Sequence, residues 1–125
     1  MAIKLILFGK PATKKNSQQI VRIGGVPRII QSKAYRQYEK DCLKQIGMKP
    51  GIDYPVNVRC VYYMPTRRKV DGVNLIEATL DILVRAGVLA DDNSNIVVGL
   101  DGSRVLYDKA NPRVEITIEA TNHDK

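Results

Sequence analysis

The residues best suited to chemistry are carboxylates in the second half of the chain. Asp71, Asn74, Glu77 and Asp81 follow one another at i, i+3, i+6 and i+10, and the pair Asp91-Asp92 comes ten residues later. On a helix, that spacing sets side chains on neighbouring parts of one face. Hard oxygen donors of this kind suit Mg2+, with Mn2+ as a substitute, because magnesium takes one or two carboxylates and leaves its other positions to water and substrate phosphates. Ions held this way activate an attacking water and stabilise the leaving oxygen of a phosphodiester. Asp71, Asp92 and Glu77 are the candidate catalytic residues. Asp71, Asp92, Asp91 and Glu77 are the candidate metal ligands, supported by Asn74 and Asp81. Each also has a plainer role: Asp71 as a helix cap, Asp81 as a solvated helix residue, Asp91-Asp92-Asn93 as turn chemistry. Asp92 reaches Asp71 only if the strand after the helix runs back antiparallel to it.

A phosphodiester substrate needs cations, and these are unevenly spread. The net charge is +7. Residues 1–70 carry 15 Lys and Arg against Glu39, Asp41 and Asp53, whereas residues 71–125 carry five against ten carboxylates. A basic excess of this size suits a polyanion, whose condensed counterions are released on binding. Lys10, Lys14 and Lys15 in an early loop, and Arg67, Arg68 and Lys69 just before Asp71, are the candidate DNA-binding residues. Of Tyr62 and Tyr63, strand alternation sends one to the core and leaves the other to stack on a base. Cys42 and Cys60 lie on apolar faces, as packing thiols do. One histidine, His123, in a polar tail cannot complete a zinc site. The run Ile3–Phe8 is too short to span a membrane or to form a signal core. The expectation is a cytoplasmic protein with free thiols, no membrane contact and no organic cofactor.

The elements that must position these residues follow from periodicity and punctuation. Ile3–Phe8 reads as a strand and Gly9–Ser17 as a loop. Gln18–Ile23 and Val26–Gln31 flank Gly24-Gly25, a two-residue hairpin signal. Ser32 caps a helix from Lys33 to about Ile46, with Gly47 placed to end it. Val56–Met64 alternates Val56, Val58, Cys60, Tyr62 and Met64 on one face. A second helix runs from Gly72 to Ala86 with Asp71 as N-cap and Gly87 past its end. Its expected buried face is Val73, Ile76, Leu80, Leu83 and Val84, opposite a polar stripe that includes Ala78. Strands are expected around Ile96-Val97-Val98, Arg104–Tyr107 and Arg113–Ala120. The order predicts a single α+β domain over residues 1–120, two main helices packed on a mixed β-sheet, with a polar tail at 121–125.

These residues resemble the RusA family of Holliday junction resolvases. The resemblance rests on Gly9-Lys10-Pro11 with Lys14-Lys15-Asn16, on Ser32-Lys33-Ala34-Tyr35, on Asp71-Gly72-Val73-Asn74, Asp81, Gly87 and Asp91-Asp92, and on Asn111-Pro112-Arg113-Val114. It implies a homodimer that grips a four-way DNA junction in recombination or repair and makes magnesium-dependent, symmetrically paired nicks. Two positions depart from the family pattern. The second aspartate of its Asp-x-Asp-Asn helix opening is Val73 here, and its lysine three residues after the asparagine is Glu77. Only Asp71 and the Asp91-Asp92 pair carry over as metal ligands, and Glu77 is the residue expected to supply the lost carboxylate. The alternative is a catalytically weakened module of the same fold that still binds branched DNA.

Overall fold

A computed structural model describes residues 2–14 and 18–121; Lys15 and the tail beyond Thr121, with His123, lie outside the described residues. The elements are β1 (Ala2–Phe8), β2 (Gln18–Ile23), β3 (Val26–Gln31), α1 (Lys33–Gln45), β4 (Val56–Met64), α2 (Gly72–Arg85), β5 (Val97–Gly99), β6 (Arg104–Tyr107) and β7 (Arg113–Ala120). The fold is α+β. β7 lies between β1 and β4 and pairs antiparallel with both. The other edge of β4 takes β5 at its start and β6 at its end, both parallel. β2 and β3 form a separate two-stranded sheet.

Alternation decides which face of the sheet meets the helices. Val56, Val58, Cys60, Tyr62 and Met64 of β4 and Val114, Ile116 and Ile118 of β7 are all buried, as their period of two requires. Tyr35, Tyr38 and Cys42 of α1 pack into the same core. Ser32 caps α1 by accepting from Tyr35 N at 3.1 Å. The helix ends on an extended Ile46 rather than on Gly47. Gln45 then clamps the end of β1, accepting from Phe8 N at 2.7 Å and donating to Phe8 O at 3.0 Å.

The face of α2 that meets the sheet differs from the expected one. Leu75, Ala78, Thr79, Ile82 and Leu83 are buried, while Val73 is 73% exposed. Ile76, Leu80 and Val84 are only partly buried against the same core. Apolar residues occupy two sides of this helix, so periodicity alone does not choose between them. Two features favour the observed side. The small Ala78 and Thr79 let the helix backbone approach the sheet, and Thr79 serves the buried Tyr62. Thr79 Oγ1 donates to Leu75 O at 3.0 Å, so the Tyr62 hydroxyl donates to Thr79 Oγ1 at 2.7 Å. Burial pushes the Tyr62 phenol up, which keeps it a donor. Past α2, Gly87 has φ +82°. Gly87 N donates to Val84 O at 3.0 Å and Val88 N to Leu83 O at 2.9 Å, a Schellman ending.

Candidate active site

Asp71 stands where the chain enters α2. Its Oδ1 accepts from Val73 N at 3.0 Å and from Asn74 N at 3.4 Å, which is N-cap geometry. Oδ2 takes no protein partner among the described residues. An open groove beside it is lined by Tyr62, Gly72, Val73, Ile76, Ser103, Arg104 and Val105. The β5–β6 turn brings Ser103 and Arg104 there, and β4 fixes that turn. Asn57 donates to Asp101 O at 3.1 Å and accepts from Asp101 N at 2.9 Å. Ser103 Oγ accepts from Cys60 N at 3.0 Å. At Gly102 (φ +86°) the backbone packs under Arg59, where an added Cβ would meet Arg59 Cδ at 2.9 Å. Arg104 therefore lines the same groove as Asp71. Sequence reasoning missed it, because only the strand pairing of β6 with β4 brings it there.

Asp91 and Asp92 sit at the other end of the helix. The chain does return antiparallel to α2, but these two residues lie at the start of the return. Ala90 N donates to Ile52 O at 2.8 Å, and Val56 N to Ile96 O at 2.7 Å, so the pair sits near the beginning of β4. The strand passes Asp71 only at Ser103–Val105. Fourteen helical residues place Asp71 and Asp92 on the order of 20 Å apart, whereas two ligands of one magnesium lie within about 4 Å. Glu77 is exposed, six residues along α2 from Asp71. That spacing carries it about 9 Å up the axis and round to a different side. Among the described residues, no three His, Cys, Asp or Glu side chains come together as a metal site. One chain alone thus does not fit the magnesium cage expected from the sequence.

The remaining candidates divide into engaged and presented groups. Asp91 is engaged: Oδ1 accepts from Asp92 N at 2.8 Å and Oδ2 from Asn93 Nδ2 at 3.0 Å. Those bonds, the backbone one foremost, hold its carboxyl below the ordinary aspartate range. Asp92 is exposed on the same loop, its side chain beside that of Asp91. Asp81 forms an ion pair with Lys14, which ties the early loop to α2 and takes both residues out of the presented set. Asn74 is half-buried beside Asp71.

Of the cations, Lys10, Arg67, Arg68 and Lys69 are exposed. The Arg67 guanidinium lies 4.2 Å from the centre of the Tyr107 ring. Met64, Thr66, Arg67, Arg68, Val105, Leu106 and Tyr107 line a second groove. Val105 lines both grooves, so the groove with Arg67 and Arg68 adjoins the one beside Asp71. Tyr62 is the core tyrosine. Tyr63 has a ring face covered by Arg113 at 3.8 Å, and is not open for a base on that side. Arg113 also pairs with Asp108 at 2.9 Å and Glu115 at 2.8 Å, pinning the turn before β7. Glu115 and Asp108 together raise the Arg113 pKa, and Arg113 holds Asp108 low.

These features define a class: a small α+β protein with a detached basic hairpin and presented carboxylates at the two ends of one helix. Comparison with known proteins gives the family. Residues 9–119 match the family model described as Endodeoxyribonuclease RusA. The crossover junction endodeoxyribonuclease RusA of Aquifex aeolicus (strain VF5) is 31% identical over 94 residues, covering 73% of this chain and 72% of that protein. The protein of that name in Escherichia coli (strain K12) is 36% identical over 62 residues, covering 50% of this chain and 52% of its own length. The Enterobacteria phage 82 protein gives the same identity and coverage. The chain belongs to the RusA endodeoxyribonuclease family. No helix among the described residues is long and apolar enough to cross a membrane.

Proposed function

We propose that this protein is an endodeoxyribonuclease that resolves four-way DNA junctions by paired nicks, working as a homodimer with Mg2+ or Mn2+. The observation that carries the reading is the placement of Asp71 and Asp92. Both are exposed carboxylates, yet they sit at opposite ends of α2. Two copies related by a two-fold axis can bring Asp71 of one chain beside Asp92 of the partner subunit, and the axis then creates a second, identical site. A resolvase needs two sites, because two strands of like polarity are cut. The metal would supply an activated water and charge neutralisation at the phosphate. The chain's own residues bind and orient: Arg104 and the Arg67–Lys69 run hold phosphates on the rim around Asp71, and Asp91 shapes the loop that presents Asp92.

The test is nicking of a synthetic four-way junction, with and without magnesium, by a mixture of two dead variants. Asp71→Asn and Asp92→Asn chains combine into heterodimers holding one intact site and one doubly altered site. After free exchange, about a quarter of wild-type nicking returns, because half the dimers are mixed and each has one live site. Return of nicking supports the shared site. A mixture as inactive as either variant means that each site is built within one chain.

One observation favours a second reading, a module that binds branched DNA with weakened catalysis. Val73 stands exposed at the rim beside Asp71, where the family pattern has an acid, so one ligand is missing from a position the structure leaves open. Magnesium-independent junction binding with no nicking by the unaltered protein is the outcome that selects it.

A further inference from the structure

The β2–β3 hairpin stands apart from the rest of the molecule. It forms its own two-stranded sheet, and the side chains of Ile20, Arg22, Ile23, Val26, Pro27 and Arg28 are exposed. Ile20 is 76% exposed, Ile23 60% and Val26 50%, which no folded core explains. An isolated hairpin is marginal in water, so these apolar groups call for something to cover them. Gly24 (φ +60°) and Gly25 (φ +82°) make the two-residue turn, with Ile23 opposite Val26 as the last cross-strand pair. Arg22 Nη1 donates to Gly25 O at 3.2 Å, which holds a guanidinium at the apex beside that pair.

Charge identifies the cover. Residues 1–38 contain eight Lys and Arg and no carboxylate, and the hairpin itself carries Arg22 and Arg28. Packing hairpin against hairpin about a two-fold axis would set like charges against one another. A polyanion with an apolar interior, stacked bases inside a phosphate shell, matches both the cations and the aliphatic tip. The hairpin also has an anchored base. Lys14, four residues before β2, is ion-paired to Asp81 on α2, and β3 runs directly into the Ser32 cap of α1. Strands of six residues project about 20 Å from such a base.

We propose that the β2–β3 hairpin is a DNA wedge: Ile23 and Val26 enter the base stack at the junction branch point while Arg22 and Arg28 hold the flanking phosphates. Apolar side chains inserted at an easily unstacked step are an established way to bend or open DNA. The branch point is such a step, because stacking is already interrupted there. This inference rests on the DNA reading above and adds the element that opens the substrate.

The test uses a four-way junction with 2-aminopurine at the branch point, whose fluorescence rises on unstacking. The unaltered protein raises it on binding. Ile23→Ser/Val26→Ser abolishes the rise and weakens junction binding roughly tenfold, while affinity for linear duplex is unchanged. Ile23→Leu/Val26→Leu keeps the rise, and unchanged thermal melting of both variants shows that the fold is intact. The wedge is overturned if the serine variant gives the same rise, or if the leucine variant loses it too. It is also overturned if the serine variant sediments in a different oligomeric state, since the tip then contacts a second copy. Unaltered protein that nicks junctions without any rise overturns the wedge alone. Unaltered protein that binds no junction overturns the DNA reading and the wedge with it.

Discussion

The two ends of α2 use carboxylates in different ways. At the N-terminal end one residue does two jobs: Asp71 caps the helix with Oδ1 and leaves Oδ2 facing a groove shared with Arg104. At the C-terminal end the jobs are split between neighbours: Asp91 spends both oxygens on the loop, and Asp92 is presented. A helix start already offers backbone N–H groups for a carboxylate to satisfy. The loop after a Schellman ending has no such ready donors in a row, so one acid must organise the turn before another can be displayed. Two adjacent aspartates therefore differ in role although they share a type and an exposure.

The largest effect that can break this comparison is loss of cleavage. Asp71→Asn and Asp92→Asn should each lower junction nicking by roughly 10²-fold or more, with binding unchanged or tighter because a negative charge facing phosphate is gone. Asn caps helices as well as Asp does, so Asp71→Asn leaves melting nearly unchanged. Asp91→Asn should lose much less, acting only through the loop. Equal losses at Asp91 and Asp92, read in one nicking assay, would erase the division of labour between them.

The connector beside Asp71 gives the next effect. Replacing Arg67, Arg68 and Lys69 together with alanine should weaken binding to every DNA form. It should also flatten the salt dependence by about 2.7 log units per decade, near 0.9 for each lost phosphate contact. Lys14→Ala belongs to a different set. Its partner is Asp81, so it should alter melting, by no more than about 1 kcal/mol for a partly exposed pair, and leave the salt slope alone. A salt slope that responds to Lys14 and ignores the connector would invert the two roles.

Much of this was legible in the sequence, and the failures share a cause. The strands β4 and β7 were readable because buried apolar residues recur at every second position, from Val56 to Met64 and from Val114 to Ile118, even though Val61 is buried on the other face of β4. Gly24-Gly25 named its hairpin, and Asp71 and Gly87 bounded α2, since caps and turns are local chemistry. The buried face of α2 was not readable, because two apolar stripes compete and the choice lies with Tyr62, seventeen residues away. Neither was the pairing of Lys14 with Asp81, nor the groove that Arg104 shares with Asp71. The acidic residues looked like one cluster because spacing along the chain says nothing about where the return strand begins. A helix of fourteen residues turned that cluster into two separate ends.

Val73→Asp sharpens the N-terminal end. The position is exposed and in the first turn of α2, so the change opens no cavity, and a carboxylate there favours the helix dipole by about 0.3–1 kcal/mol. If the groove beside Asp71 is where metal binds, the added acid should lower the magnesium concentration needed for half-maximal nicking several-fold, roughly 1 kcal/mol of extra affinity. A magnesium titration identical to that of the unaltered protein would place the metal away from Val73.

The smallest effect lies in the loop at the C-terminal end. Bonds from Asp92 N and Asn93 Nδ2 favour the charged form of Asp91, so its carboxyl stays below the ordinary aspartate value of 3.8. A group lowered in the folded state contributes stability that is fully present above its unfolded value. That contribution is lost as pH falls through the lowered value. The loop should therefore keep its order from neutral pH down to about pH 4 and loosen below it. A carboxyl titration by NMR should give Asp91 a midpoint below that of a free aspartate, with faster exchange of the Asp92 amide once Asp91 is protonated. In Asp91→Asn the acid-dependent part of that exchange should vanish, because the side chain no longer titrates, and one of the two loop bonds is lost at every pH. A midpoint at or above the free value would mean that Asp91 does not hold the loop. It would then be as available to a cation as Asp92, and the two ends of α2 would present their acids alike.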